Sequence, residues 1–564
     1  MDRNFLLAVV LSMLVVMFWS SSRQPSETST ESSPEVAAEG ERAPSGSLVG
    51  PQSDASGGET RVAERRASPE ALEQRGEPAF EPWVRTIEGA QFVAELSNRG
   101  GTLIRYALRD YETAASEGPP EPIDLIDSPA GGLQVGATPF EELGIGNLRE
   151  AQFEVEEQDS RSVTFALTRD GITVRKHYRF DLDAYTFEFS VAVENMSGEL
   201  LRPRFEIEWP VAIREGNDYA NLSLVTRHDG EVDRTPVGSV GSSGFLGFGA
   251  DDGKPKTGGI EWFGVDATYF VGALAPQRGS DALVSSVALR KGEIAANVLS
   301  FAGIMLPSGN RITQELRGYI GPKLEQELAD FGADLTTSVD RGWSWVQPLT
   351  RFFGWLLRAL YEFIPNYGWV IIVVTFLVRV VTLPIVQKQM KSMERMRALQ
   401  PRMKEIQKKF ADDKEKQSQA TMALYKEEGV NPLGGCLPML LQLPVFIGLF
   451  YALRSSIELR HAPFIFWMTD LSAPDQLFLI PGIELPLRVL PLLMAGSMVL
   501  QAKFQPMSPD PAQAQMMTTV MPIMMLVLFY QFPSGLVLYY MLSNFLGIAH
   551  QRWVGRNMNK AKEA

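Results

Sequence analysis

The sequence predicts a polytopic α-helical membrane protein of six spans, with a large antiparallel β-sandwich domain held outside the membrane. Three observations predict it. Apolar stretches of bilayer-crossing length occur near the N-terminus and repeatedly after residue 365. Between them, residues 80–340 break into short alternating runs separated by turn residues. The charge is also divided: residues 1–340 carry 30 basic and 53 acidic side chains, net −23, whereas residues 341–564 carry 23 and 14, net +9. The overall charge of −14 over 564 residues conceals that division.

Phe5–Trp19 is an apolar run broken only by Ser12, and Ser20–Ser22 follow it. Its length suits a signal anchor, giving a first transmembrane helix over 1–22. The small residues equally suit a cleaved signal peptide. No cysteine follows the run, which excludes a lipoprotein anchor, and in either case the chain beyond it is exported. Residues 23–79 are rich in Ser, Glu, Pro, Gly and Ala and poor in aromatic and β-branched residues. Such a segment buries too little apolar surface to offset its ordering entropy, so a disordered linker is expected.

Residues 80–340 form the expected sandwich. Val163–Leu167 and Ile172–Phe180 flank Arg169-Asp170-Gly171, and the Asp-Gly pair tolerates the positive backbone angles of a tight hairpin. Phe187, Phe189, Val191 and Val193 alternate along Thr186–Glu194, and Phe205–Trp209 repeats the pattern. Acidic surface dominates, and no carboxylate or aromatic constellation marks a ligand pocket.

In residues 341–364, apolar residues from Trp345 to Ile364 recur at three- and four-residue steps, which predicts an amphipathic helix at the bilayer interface. Spans are expected at 365–386, 430–455, 485–503, 516–532 and 535–553. The last two come from one apolar stretch broken at Phe532-Pro533-Ser534-Gly535. Residues 387–429 carry eleven Lys or Arg against seven acidic residues, and the tail at 554–564 is also basic. Six-span threading puts both on one side, which the excess of basic residues makes cytoplasmic, with the sandwich outside. Loops at 456–484 and 504–515 then lie outside and inside respectively. In 387–429, Met396, Leu399, Met403, Ile406 and Phe410 form a coiled-coil seam, and Asp412-Asp413 turn the chain into a second helix. A methionine-rich helical hairpin follows.

Chemistry is sparse. Cys436 is the one cysteine, the four histidines lack metal-ligand spacing, and no Walker, GxSxG or GxGxxG pattern occurs. An enzyme, a cofactor and a metal are all disfavoured. The exception is Arg379, the one charge inside 367–386. A charge at that depth costs at least ~2.5 kcal/mol and should face water or protein rather than lipid. Thr375 and Thr382 share its helical face, Gln442 lies on another span, and Tyr540, Ser543 and Asn544 form a stripe on the last. No acidic residue lies at comparable depth, so an anionic passenger is the expected partner of Arg379. On the residues alone a secondary transporter of an anionic solute competes, though no inverted repeat supports it. So does a wall-binding protein for which five further spans are far more anchor than needed.

Four stretches decide between these readings: Val374–Arg379, Met422–Lys426, Val430–Pro438 and Phe532–Tyr540. They resemble the YidC/Oxa/Alb family of membrane protein insertases, and Gly318–Lys323 resembles its Gram-negative form. The resemblance covers nearly the whole chain. It implies a five-helix insertase core in the bacterial inner membrane, with a hydrophilic groove open to cytoplasm and lipid and closed towards the periplasm. Arg379 matches the groove arginine, Thr375 a groove threonine, and Tyr540, or as second choice Tyr539, an aromatic on the last span. The implied exported domain is a galactose-mutarotase-like sandwich without sugar chemistry. Implied partners are nascent membrane proteins, the lipid bilayer, and the SecYEG and SecDF translocon components. A ribosome contact through the basic loop and tail is also expected, without recognition of a nucleic-acid sequence. Gln531 departs from the pattern, standing where relatives often have tryptophan, so aromatic contacts there are not carried over.

Overall fold

The Asp170-Gly171 pair makes the turn its sequence calls for. Both residues take positive φ, 49° and 77°, and Arg169 pairs directly with Ile172 across a two-residue hairpin. That hairpin belongs to a computed structural model that describes residues 83–113, 121–126, 134–212, 222–240, 255–277, 282–289, 294–410, 413–429, 437–480, 485–504 and 515–563. The expected first span at 1–22, the linker at 23–79 and Cys436 lie outside them. The described residues all belong to one unit, 66–564.

Seventeen strands precede the helices among the described residues. They are β1 Val84–Glu88, β2 Phe92–Ser97, β3 Thr102–Glu112, β4 Pro122–Asp124, β5 Glu154–Gln158, β6 Ser162–Arg169, β7 Ile172–Phe180, β8 Thr186–Asn195 and β9 Glu206–Ala212. Then come β10 Ser223–His228, β11 Glu231–Pro236, β12 Lys256–Thr257, β13 Ile260–Asp266, β14 Phe270–Pro276, β15 Ala282–Leu289, β16 Ile294–Phe301 and β17 Arg311–Pro322. Nine form one sheet in the order β11-β10-β13-β14-β17-β8-β7-β6-β5, and two four-stranded sheets, β1-β2-β3-β4 and β12-β15-β16-β9, accompany it. Every pairing is antiparallel. Phe187, Phe189, Val191 and Val193 of β8 all enter one continuous core, with Trp209 and Trp262 the largest buried side chains in it.

The stretch Gly318–Lys323 has a packing explanation. A Cβ at Gly318 would lie 2.2 Å from the Phe187 ring, and one at Gly321 2.7 Å from Tyr185. Buried Tyr319 donates to the Pro322 carbonyl at 2.6 Å, and Lys323 pairs with Asp266 at 2.6 Å. The strand therefore admits two aromatic rings against its backbone and ends on a buried ion pair.

Lys176 breaks the apolar alternation of β7, where Ile172, Val174, Tyr178 and Phe180 also point inward. Its ammonium donates to the carbonyls of Gly100 (2.6 Å) and Gly136 (2.8 Å). Burial, opposed by Glu208, pushes its pKa from 10.5 down to about 7. Below about 7 folded and unfolded chains both carry the proton, and above 10.5 neither does. Between these values the unfolded chain holds a proton the folded domain has released, so stability rises with pH. The β domain of the native chain is therefore expected to gain melting temperature from pH 7 to 10 relative to Lys176→Met, by about 2–4 °C for each kcal/mol of linkage. Parallel pH profiles in a thermal melt of the two proteins would refute this.

Two short connections lead out of the β domain: α1 (Glu325–Phe331) and the turn Leu335–Ser338. Arg227 holds that turn through Asp334 (2.9 Å) and Thr337 (2.8 Å), while Glu325 meets Arg341 (3.6 Å) and Arg358 (3.1 Å). Arg358 lies on α2 (Gln347–Tyr361), which is the expected amphipathic helix. Its Phe353 and Leu357 are buried, while Phe352, Trp355 and Tyr361 are exposed.

Beyond it run α3 (Tyr367–Ala398), α4 (Gln400–Lys409), α5 (Lys414–Glu427), α6 (Leu437–Ser455), α7 (Val489–Phe504), α8 (Met521–Phe529) and α9 (Ser534–Glu563). Two short strands, β18 (Phe478–Ile480) and β19 (Leu485–Leu487), lie between α6 and α7. A Cβ at Gly448 would strike Leu349, so α2 packs directly on α6. Ile457, just past α6, enters the core of the β domain.

Three expected boundaries differ. The helix begun at Tyr367 does not stop at 386 but runs on to Ala398, because Pro384 leaves the helix unbroken; the break comes at Leu399, just before Pro401. The stretch expected to open a span at 485 is instead the strand β19, and the helix begins at Val489. The basic tail is a continuation of α9, helical to Glu563. In the hairpin of α4 and α5, Asp413 caps α5 by accepting from the Lys416 amide at 3.0 Å. Tyr425 donates to the Met403 sulfur at 3.4 Å.

By length and apolar composition, one described helical segment, Tyr367–Pro384, is sufficient to cross a membrane; Val489–Lys503 and Thr518–Phe529 are shorter apolar helices.

Candidate functional site

The helix that carries Arg379 starts on a side-chain cap. Asn366 Oδ1 accepts from the amides of Gly368 (3.0 Å) and Trp369 (3.3 Å), satisfying donors that the first turn leaves open. Val370, Ile371 and Val374 then bury one face while Leu377, Val380 and Val381 stay exposed. Arg379 falls at the edge between the two faces and is half-buried. Opposite it runs α9.

Arg379 Nη2 donates to the backbone carbonyl of Ser543. Its Nε is buried and has no hydrogen-bond partner. No Asp or Glu occurs in 367–386, 437–455, 489–504, 515–529 or 534–553. A Cβ on Gly547 would lie 3.4 Å from Arg379 Nη2 and 3.6 Å from Gln501 Nε2. Gly547 thus gives the guanidinium its room, and Gln501 of α7 reaches the same spot.

Beside the guanidinium is a cavity of about 180 Å3 between α3 and α9. Phe376, Val380, Leu383, Val386 and Leu546 supply apolar walls, and Arg379, Gly547 and His550 complete the lining. Phe376 and Val380 are also exposed on α3, so the cavity borders an exposed apolar surface of that helix.

The other expected site residues distribute themselves as follows. Thr375 is fully buried and donates to Ile371 O at 2.6 Å; Thr382 donates to Val378 O at 2.9 Å. Both hydroxyls spend their protons on their own helix and offer lone pairs only. Gln442 on α6 donates to Tyr539 at 2.8 Å, not to Tyr540. Tyr539 is fully buried, whereas Tyr540 packs against Phe446 and Phe529. Tyr539, the second choice on sequence, therefore makes the polar contact of that pair. Asn544 donates to Ser497 Oγ at 3.1 Å and ties α9 to α7. Ser543 meets Arg379 through its carbonyl.

The cavity thus joins Arg379 with two residues that sequence reasoning missed, Gly547 and His550, while Ser543 and the likewise missed Gln501 approach the guanidinium from beside it. A signal for two of them was available. Gly547 and His550 continue the stripe of Tyr540, Ser543 and Asn544 at three- and four-residue steps.

Apolar helices packed around an arginine with no carboxylate partner among the described residues, joined to a large antiparallel β domain, define a helical membrane protein with an extramembrane β domain. The model of the family "60Kd inner membrane protein" matches residues 359–562, and that of the YidC periplasmic domain matches 85–356. A relative from Syntrophus aciditrophicus named membrane protein insertase YidC is 31% identical, covering 99% of this chain and 100% of its own. One of the same name from Pelobacter propionicus is 32% identical over 99% and 100%. A solved YidC insertase chain is 17% identical, covers 84% of this chain and 92% of its own, and superposes with a TM-score of 0.34. The chain belongs to the YidC family of membrane protein insertases, and its antiparallel β domain is the family's periplasmic domain.

Proposed function

We propose that this protein inserts nascent membrane proteins into the bacterial inner membrane, with no covalent chemistry of its own. A half-buried arginine beside a lipid-bordering cavity, without a carboxylate partner in the described spans, is the observation that carries this reading. A short hydrophilic segment of the client enters beside α3, where Arg379 holds an acidic residue and shortens its polar path. The client's apolar helix then slides along the protein into lipid, and its own partitioning supplies the drive. An acidic residue moving outward gains a further ~2.3 kcal/mol per 100 mV of membrane potential.

The topology that suits this role has six spans, with the first at 1–22, both termini cytoplasmic and the β domain periplasmic. The hairpin of α4 and α5 and the basic end of α9 then face the ribosome. The protein works alone or beside SecYEG and SecDF. Thr375, Thr382, Gln442, Tyr540, Ser543 and Asn544 belong to the helix surfaces around the client path, with Tyr539 added.

The test is reconstitution. Purified full-length protein in liposomes should protect the translocated tail of a small in vitro translated client from added protease. Protection no greater than in empty liposomes would overturn the proposal, and uptake of a small anionic solute would replace it with transport.

A further inference from the structure

Two buried nitrogens with no hydrogen-bond partner belong to side chains that line the same cavity: Arg379 Nε on α3 and His550 Nε2 on α9. A buried polar atom without a partner costs roughly 1–3 kcal/mol, so two at one cavity mark a place where an acceptor is missing. We propose that Arg379 and His550 together form a two-donor site for the client's carboxylate, with His550 as its second binding residue. The inference rests on the insertase reading above and names the group that reads the client's acidic residue.

The chemistry favours a carboxylate. It has two oxygens and accepts from both donors at once, whereas an amide of the same shape offers one acceptor and two N–H groups. Neutral histidine with its proton on Nε2 donates without adding a second buried charge, which suits a lipid-bordering position. The walls, Phe376, Val380, Leu383 and Leu546, are apolar and keep competing water sparse. A lipid phosphodiester is the other anion within reach. Loss of a lipid contact would not depend on Asp against Asn in the client, and the experiment separates the two anions on that ground. Gly547, one turn before His550, leaves the approach open.

The experiment uses full-length protein in liposomes and a single-span client whose translocated tail carries one Asp, compared with the same client carrying Asn. His550→Phe keeps the ring against Trp553 and removes the donor; His550→Gln returns an N–H. The expected result is a drop of about five- to tenfold in insertion of the Asp client by His550→Phe. The Asn client, which offers a single acceptor, should lose distinctly less, and His550→Gln should restore most of the Asp client's loss. Full insertion of the Asp client by His550→Phe, with Arg379→Ala impaired, overturns the role of His550 and leaves the insertase reading standing. Equal loss on both clients also overturns it, pointing to a structural or lipid-binding role. If Arg379→Ala too is indifferent to Asp against Asn, the charge reading of the whole site fails.

Discussion

Arg379→Ala is expected to lower insertion of clients with acidic translocated tails by about tenfold to a hundredfold, while Arg379→Lys retains most of it. The size follows from a hydrogen-bonded charge contact in a water-poor setting, worth roughly 1.5–3 kcal/mol. Lysine keeps the charge but loses the planar fork, so it preserves attraction and gives up geometry. The experiment separates activity from stability. Arg379 makes one hydrogen bond to a helix carbonyl and leaves Nε unpartnered, and its removal from a bilayer-facing helix relieves a cost rather than creating one. The alanine variant should therefore melt no lower than the native protein. Protease protection of a set of clients differing in tail charge is the measurement. Native insertion of all of them by the alanine variant would sink the groove-charge model.

Arg379 was legible because charge inside an apolar stretch is rare and costly, so one residue stands out without knowledge of its neighbours. The hairpin at Asp170-Gly171 was legible for a similar reason, since its turn is decided by two adjacent residues. What the sequence concealed depends on pairing between distant segments. Tyr539 and Tyr540 are chemically alike, and about 100° of helix rotation separates them. Only the position of Gln442, 97 residues earlier, selects Tyr539. His550 reads as an isolated histidine until α3 is laid beside α9. Lys176 reads as an interruption of an inward face, and the two glycine carbonyls that hold it come from 76 and 40 residues away. The strand β19 was hidden in an apolar run whose first residues suit a span and a short sheet equally.

The same dependence on distant pairing gives the second large effect, at Asp475. Its carboxylate is buried, and Oδ2 accepts from the amides of Val489 (2.8 Å) and Leu490 (2.9 Å) and from Trp467 Nε1 (3.0 Å). Val489 and Leu490 open α7, so an anion from the preceding loop supplies the acceptor that the helix start lacks. The same short stretch caps α9: Ala473 O accepts from the Ser534 amide (2.8 Å), Leu471 O from Gly535 (3.0 Å) and Asp470 O from Ser534 Oγ (2.7 Å). Two apolar helices thus begin on one loop, at the end where Ile457 joins the β domain. Asp475→Ala strips three donors of their partner at once and should cost on the order of 3–5 kcal/mol. Asp475→Asn keeps an acceptor oxygen and should cost about 1 kcal/mol. Thermal melts in detergent check the ranking, and proton leak through liposomes containing each variant checks its consequence. If this loop seals its end of the helices, the alanine variant leaks while the asparagine variant holds. Melting of the alanine variant with the native protein would show that the caps contribute nothing, and a tight alanine variant that melts early would confine Asp475 to stability.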